Sequence, residues 1–153
     1  MRPEDVAYWQ EYAKAYSYFD VKELVVLDIG ADIGSSAVWF LQHGAKKVIC
    51  YSLEQQGFFD ERIEWHGEWN GEYIPADLLK MDCEGCECKL SIELLNRYKY
   101  YYVAIHTGTP CFEMLKAYLD KNAVQVFTTT SSEGVTEIMY AGGKFSVGSS
   151  NKA

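Results

Sequence analysis

Apolar residues recur along the chain in short blocks separated by polar and glycine-bearing segments, and the spacing inside each block indicates its conformation. From Glu4 to Phe19, Val6, Trp9, Ala13 and Tyr16 fall at helical spacing, which predicts an amphipathic helix. Leu24-Val25-Val26-Leu27 is a continuous apolar run ending in Asp28-Ile29-Gly30, a pattern that suits a strand buried on both faces. Ala37 to His43 reads as a helix, with Ser35 and Ser36 able to cap its start and Gly44 placed to stop it. The alternation repeats through strands at Val48–Tyr51, Arg62–Trp65 and Ala76–Met81, then a helix from Glu87 to Leu95. A strand at Tyr100–Ile105 follows, then a helix over Pro110–Asp120 with Pro110 in its first turn. Val124–Thr129 and Val135–Tyr140 flank Ser131-Ser132-Glu133-Gly134, which is a hairpin signal.

Strands alternating with helices predict an α/β fold: a Rossmann-like, doubly wound, mostly parallel sheet with a C-terminal antiparallel hairpin. Residues 1–153 then make one domain, with a helix inside 1–20, a core over 24–106 and a terminal hairpin over 123–141. Residues 52–61 and 67–75 are short for helical crossovers between parallel strands. Either those helices have shrunk to loops, or Arg62–Trp65 is not a strand.

Composition narrows the function classes. The 153 residues are 48% apolar and 24% charged, ordinary for one globular domain. Fourteen basic against 22 acidic residues give a net charge of −8, which repels phosphate backbones and argues against nucleic acid as a partner. No apolar run is long enough for a membrane span, and Met1-Arg2-Pro3-Glu4-Asp5 is no signal peptide, so a soluble cytoplasmic protein is expected. Three of the five cysteines crowd into Cys83-Glu84-Gly85-Cys86-Glu87-Cys88, unlike the spread of a secreted disulfide scaffold. Cys83, Cys86 and Cys88 with His106 or Cys111 could surround zinc, but no second Cys-x-x-Cys follows. The cysteines read instead as small apolar residues around a helix start, and no metal site is assigned. His43 suits a helix end, and His66 has no partner visible in sequence.

Two stretches carry candidate chemistry. Asp28-Ile29-Gly30-Ala31-Asp32-Ile33-Gly34 joins a buried strand to a helix, where glycines let the backbone turn tightly and a ligand approach the exposed amides. The Gly-x-x-x-Gly spacing differs from the dinucleotide fingerprint and suits a nucleoside without a pyrophosphate; a plain strand-to-helix turn explains it equally well. Asp82 and Glu84 follow the Ala76–Met81 strand, so they reach the same carboxyl edge of the sheet. There they could take a substrate proton or hold a hydroxyl or a metal, or simply cap the next helix.

Taken in order, the two stretches resemble FkbM-type S-adenosylmethionine-dependent methyltransferases, a class I methyltransferase-like family. The first matches at Asp28, Gly30, Ala31, Asp32 and Gly34 and at Gly44-Ala45-Lys46-Lys47-Val48; the second at Leu79, Lys80, Asp82, Glu84, Gly85 and Glu87. The resemblance covers residues 24–106. It implies that Asp28, Gly30, Ala31, Asp32 and Gly34 bind the methionine end of S-adenosylmethionine, with Asp32 replacing a family Asn. It also implies an acid for the ribose at the end of the second strand. Ser52 stands there, inside Tyr51-Ser52-Leu53, with Glu54 two residues on as a substitute. At the fifth strand a family Glu-x-His is Ala104-Ile105-His106, keeping only the His.

The function expected from this is methyl transfer to a hydroxyl oxygen of a sugar or small molecule. Asp82 would be the base, His106 its orienting partner, and Glu84 the next candidate. The alternative is a catalytically inactive methyltransferase-fold binding or scaffold protein, which Ser52, Ala104 and the shortened middle favour; a zinc-stabilised interaction domain is a third. Trp9 and Tyr12 would cover either the site or a homodimer surface.

Overall fold

A computed structural model describes residues 3–53 and 60–144. Helix α1 (Pro3–Ala15) precedes β1 (Val25–Ile29), α2 (Ser35–Gln42), β2 (Lys47–Tyr51), β3 (Ile63–His66) and β4 (Leu78–Met81). A 3-10 turn (Cys86–Lys89), α3 (Ile92–Leu95), β5 (Tyr100–His106), α4 (Phe112–Asn122), β6 (Ala123–Thr130) and β7 (Thr136–Gly143) complete the order. The strands form one seven-stranded sheet, β3-β2-β1-β4-β5-β7-β6. Strands β1 to β5 pair in parallel, and β7 pairs antiparallel with both β5 and β6. The expected architecture is present, with the 25–29 strand inside the sheet between β2 and β4. Among the described residues no helix is long and apolar enough to cross a membrane.

Period-two alternation sorts side chains between the two faces of the sheet. Val26, Val48, Cys50, Leu78, Tyr102, Ala104, Met139 and Ala141 point toward α1 and α2, where they meet Ala15, Tyr16, Ala37 and Phe40. Leu27, Ile49, Leu79, Met81, Val103, Ile105, Ile138 and Tyr140 point the other way, toward Leu95, Leu115 and Leu119 of α3 and α4. Aromatic rings seat α1: Tyr16 lies 5.3 Å from both Phe40 and Tyr102, and Trp9 packs edge-on against Trp39. The same alternation puts Asp28, Lys80, His106 and Glu137 on the α1 face, one or two residues beyond apolar neighbours.

Three local expectations change, and a fourth, left open between a real strand at 62–65 and none, is resolved. Neither Ser35 nor Ser36 caps α2; Gly34, at φ 101, occupies the N-cap, and the Ser36 hydroxyl turns inward to Asp28. The helix expected over 87–95 is broken into the 3-10 turn and the single turn α3, because Leu90 is extended and Ser91 accepts the Leu94 N–H as a new N-cap. Pro110 precedes α4 rather than opening it. The 63–66 strand is real, and no helix joins it to β4; Trp69, Tyr73 and Ile74 of the connecting loop fill the place a helix would occupy.

The cysteine reading is also corrected. Cys83 is bonded to Cys86 and Cys88 to Cys111, so four of the five are disulfides rather than small apolar residues or zinc thiolates. Cys50 is a buried free thiol. Sequence could not anticipate the longer bridge, since its partners are 23 residues apart and meet only once α4 packs beside the 3-10 turn.

Candidate active site

A cavity of about 1150 Å³ opens at the carboxyl ends of the parallel strands. That is roomy against the roughly 300–1,000 Å³ of typical small-molecule sites. Four segments build it: the loop after β1, the ends of β2 and β3, the loop after β4, and the β6–β7 hairpin through Phe127, Thr129, Glu137 and Met139, with Glu11, Tyr12 and Ala15 of α1 and Tyr16 just beyond it closing one side. Tyr12 therefore covers the site, while Trp9 is spent on packing against Trp39.

In the glycine loop, Gly30, Ala31 and Asp32 line the cavity. The Gly30 and Ala31 amides are both turned back to the Tyr51 carbonyl, and Asp32 adopts φ 50, a conformation that Asp and Asn tolerate better than most residues. Gly30 is required on steric grounds: at φ 87 a Cβ there would collide with the Asp82 carbonyl oxygen. This contact locks the loop after β1 onto the loop after β4. Gly34 closes the loop with its N–H on the Ala31 carbonyl. Asp28 does not reach the cavity. Its carboxylate is fully buried, 2.8 Å from Lys80 Nζ and accepting from the Ser36 hydroxyl at 2.5 Å.

Asp28 and Lys80 are direct register partners across β1 and β4, so the ion pair follows from strand pairing. Lys80 Nζ also donates to the Gly30 carbonyl at 3.2 Å. Burial disfavours the ammonium, but Asp28 and Asp82 outweigh that and hold Lys80 charged. Lys80 lines the cavity wall, and sequence reading assigned it no role beyond a motif match.

At the β2 end, Ser52 is buried and donates its hydroxyl to the Asp32 carbonyl at 2.9 Å, bracing the glycine loop. Glu54 lies outside the described residues. Leu53 sits at the mouth of the cavity with 81% of its surface exposed, and Tyr51 stacks on His66 at 4.8 Å between ring centres. His66 also pairs with Glu64 at 2.6 Å, a same-face partner two residues earlier on β3. His43 caps its helix, with Nδ1 2.8 Å from the Trp39 carbonyl and its ring stacked on Trp39.

The far wall carries a carboxylate–imidazole cluster. Asp82 directly follows β4, His106 ends β5 and Glu137 lies opposite His106 in the β5–β7 register. His106 Nε2 is 2.9 Å from Glu137 Oε1 and 3.7 Å from Asp82 Oδ1, while Nδ1 is 2.9 Å from Glu87 Oε2. Glu87 is completely buried, and it also accepts the backbone N–H groups of His106 and Gly85. Hydrogen bonds to Glu137 and Glu87 push the His106 ring up to about 10 despite its burial. The imidazole is thus held as a cation between two carboxylates, an orienting group rather than a base. Burial, and Glu137 beyond it, push Asp82 up to about 8 against the attraction of Lys80. Burial would raise Glu137 too, but hydrogen bonds from His106 and Asp82 bring it below the usual range. Asp82, Glu84 and Glu137 face the cavity, whereas His106 stands just behind them. Glu84 is exposed at the rim. Glu87 was visible as a motif residue without a role. Glu137 carried no signal, because only the hairpin register brings it to His106.

No known family profile matches the chain. The chain is 36% identical over 145 residues to uncharacterized protein 65 of Sulfolobus islandicus filamentous virus (isolate Iceland/Hveragerdi), an alignment spanning 87% of this chain and 89% of that protein. It is 44% identical over 115 residues to uncharacterized protein 158B of Sulfolobus islandicus rod-shaped virus 1, spanning 67% and 73%. Among solved structures, a proposed hemolysin from Lactococcus lactis superposes with a TM-score of 0.64 at 15% identity, over 92% of this chain and 87% of that one. A proposed S-adenosylmethionine-dependent methyltransferase from Listeria monocytogenes gives 0.61 at 11% identity, over 92% and 99%. TrmK of M. capricolum, solved with S-adenosyl-homocysteine, gives 0.56 at 12%, over 88% and 67%. At these identities the likeness fixes the fold, a methyltransferase-like Rossmann domain.

Proposed function

The chain belongs to the family of the viral proteins 65 and 158B, and we propose that it is an S-adenosylmethionine-dependent methyltransferase acting on a hydroxyl oxygen of a sugar or small molecule. One observation carries the reading: a single cavity joins the glycine loop of a methyltransferase-like sheet to a poised carboxylate on the neighbouring strand. The middle parts of the two FkbM-like motifs, residues 29–33 and 82–86, lie on the walls of that cavity, which supports assignment to that narrower group.

The residues present fit the cofactor. Gly30, Ala31 and Asp32 offer a close backbone surface, and Leu53 offers an uncovered apolar side chain at the cavity mouth. Asp28 acts one layer back, fixing Lys80 and through it the Gly30 carbonyl. Ser52 replaces the expected ribose acid and braces the loop instead. Bound S-adenosylmethionine would supply an electrophilic methyl group. The chain's own part is to hold the acceptor oxygen in line and remove its proton. Asp82 suits that step, since a base poised near the working pH transfers protons most effectively. Glu87 and His106 keep its neighbourhood fixed. Apart from Lys80 and Lys89, the charged residues on the lining are acids, Glu11, Asp32, Glu68, Asp82, Glu84 and Glu137. This favours a neutral polyol over a phosphorylated or polyanionic acceptor.

The test is transfer of labelled methyl from S-adenosylmethionine to a panel of polyols and sugars. Turnover should climb as pH rises through about 8, where Asp82 ionises. Asp82→Asn should cut it by about 10²–10⁴-fold, the usual worth of a general base, with cofactor affinity nearly unchanged. A rate indifferent to both changes would remove Asp82 from the mechanism.

A further inference from the structure

We infer that Asp82, His106 and Glu137 form a binding site for one divalent transition-metal ion of the manganese-to-zinc series. The inference goes beyond the methyl-transfer reading and does not depend on it; the pH dependence assigned to Asp82 above is that of the metal-free chain, since a bound ion would keep that carboxylate ionised. One ligand atom from each of the three residues lies within 4.8 Å of the other two. Ligands at about 2.0–2.2 Å around a single ion sit roughly 3.0–3.5 Å from one another, by the geometry of tetrahedral and octahedral shells. The His106 Nε2 distances of 2.9 Å to Glu137 and 3.7 Å to Asp82 bracket that spacing.

The three residues come from the ends or pairing partners of β4, β5 and β7, so backbone register holds them. No loop has to close to bring them together. The ring is already set for ligation. Glu87, wholly buried, takes the Nδ1 side of His106 and leaves Nε2 facing the two forward carboxylates. A carboxylate behind a ligating imidazole is the arrangement that fixes ring orientation and strengthens the ligand. Glu87 is itself fixed, because both flanking residues, Cys86 and Cys88, are disulfide-bonded. Glu87 and Glu137 flank a single imidazolium, and Lys80 is already paired with Asp28, so the cluster keeps an excess of negative charge for a cation to balance even while Asp82 holds its proton. Asp82 and Glu137 line the cavity, so an ion held there would keep coordination positions open toward it.

One nitrogen and two carboxylate oxygens distinguish the site from an all-oxygen cage for calcium or magnesium, and the absence of thiolates from a soft-metal site. An ion bound here would have to displace the protons that now link the three side chains, so binding releases protons and weakens at low pH.

The experiment is Mn²⁺ titration of the EDTA-stripped full chain without cofactor or acceptor, followed by calorimetry and by the NMR signals of its three histidine rings. One equivalent should bind saturably, and the His106 ring should broaden before those of His43 and His66. Mg²⁺ and Ca²⁺ should bind at least tenfold more weakly. Asp82→Asn and Glu137→Gln should each weaken Mn²⁺ at least tenfold, and Glu87→Gln by about 10–100-fold, the range for loss of an outer-shell partner. No saturable binding at millimolar Mn²⁺, or broadening that begins at His43 or His66, would overturn the site in the unaltered chain. Affinity unchanged in both carboxylate variants would do the same. Because cofactor is absent throughout, failure here leaves the methyl-transfer reading to its own test.

Discussion

Lys80 and Asp28 form an ion pair with only 2% and 0% of their surfaces exposed. Such a pair offsets its desolvation only while both partners and their extra hydrogen bonds are present. Lys80→Met strands the Asp28 carboxylate and frees the Gly30 carbonyl, so denaturant unfolding should report a loss of about 3–5 kcal/mol. His106 sets a second residue-scale expectation. Hydrogen bonds to Glu137 and Glu87 push its ring from 6.5 up to about 10 in the fold, so the folded state binds the extra proton. The stabilisation is complete below about pH 6.5 and fades as pH rises through about 10. Thermal midpoints measured across that window should fall in the native chain and fall less in His106→Gln. A native chain whose profile matches the variant's would mean the imidazolium is not held by Glu87 and Glu137.

At the scale of elements, the segment after β4 decides the geometry of the site. It carries Asp82 and Glu87, and it is tied at Cys83–Cys86, at Cys88–Cys111 and at the Gly30–Asp82 contact. The Cys88–Cys111 bridge closes a loop of 23-residue separation, for which chain-entropy reasoning gives about 3 kcal/mol. A Cys88→Ala/Cys111→Ala variant should lose about that much in equilibrium unfolding, and His106 should lose part of its raised titration as Glu87 loosens. Unchanged unfolding would mean that the bridge constrains little. These ties were hard to read in the sequence. Periodicity found the strands because apolar runs such as 24–27 and 100–105 are long and bounded. It joined the 3-10 turn and α3 into one helix because Leu90 and Ser91 do not interrupt the apolar spacing. It could not see the extended backbone at Leu90 that separates them. Motif matching reached Asp82 and Glu87 through local spacing, but Glu137 joins them only through the β5–β7 register.

For the molecule as a whole, the sheet order places β1, β4 and β5 side by side, and the site collects at their carboxyl ends and at the start of the antiparallel β7. The N-terminal helix and the residue after it close the cavity through Tyr12 and Tyr16, so binding should be sensitive to anything that displaces them. The account stands on the claim that this cavity takes S-adenosylmethionine although Ser52 stands where an acid was expected. Calorimetric titration with S-adenosylmethionine and S-adenosyl-homocysteine tests it most directly. The account predicts saturable one-to-one binding of both, each displacing the other. Absence of binding by either at millimolar concentration, in protein that unfolds cooperatively, would contradict it and leave a methyltransferase fold used as a scaffold.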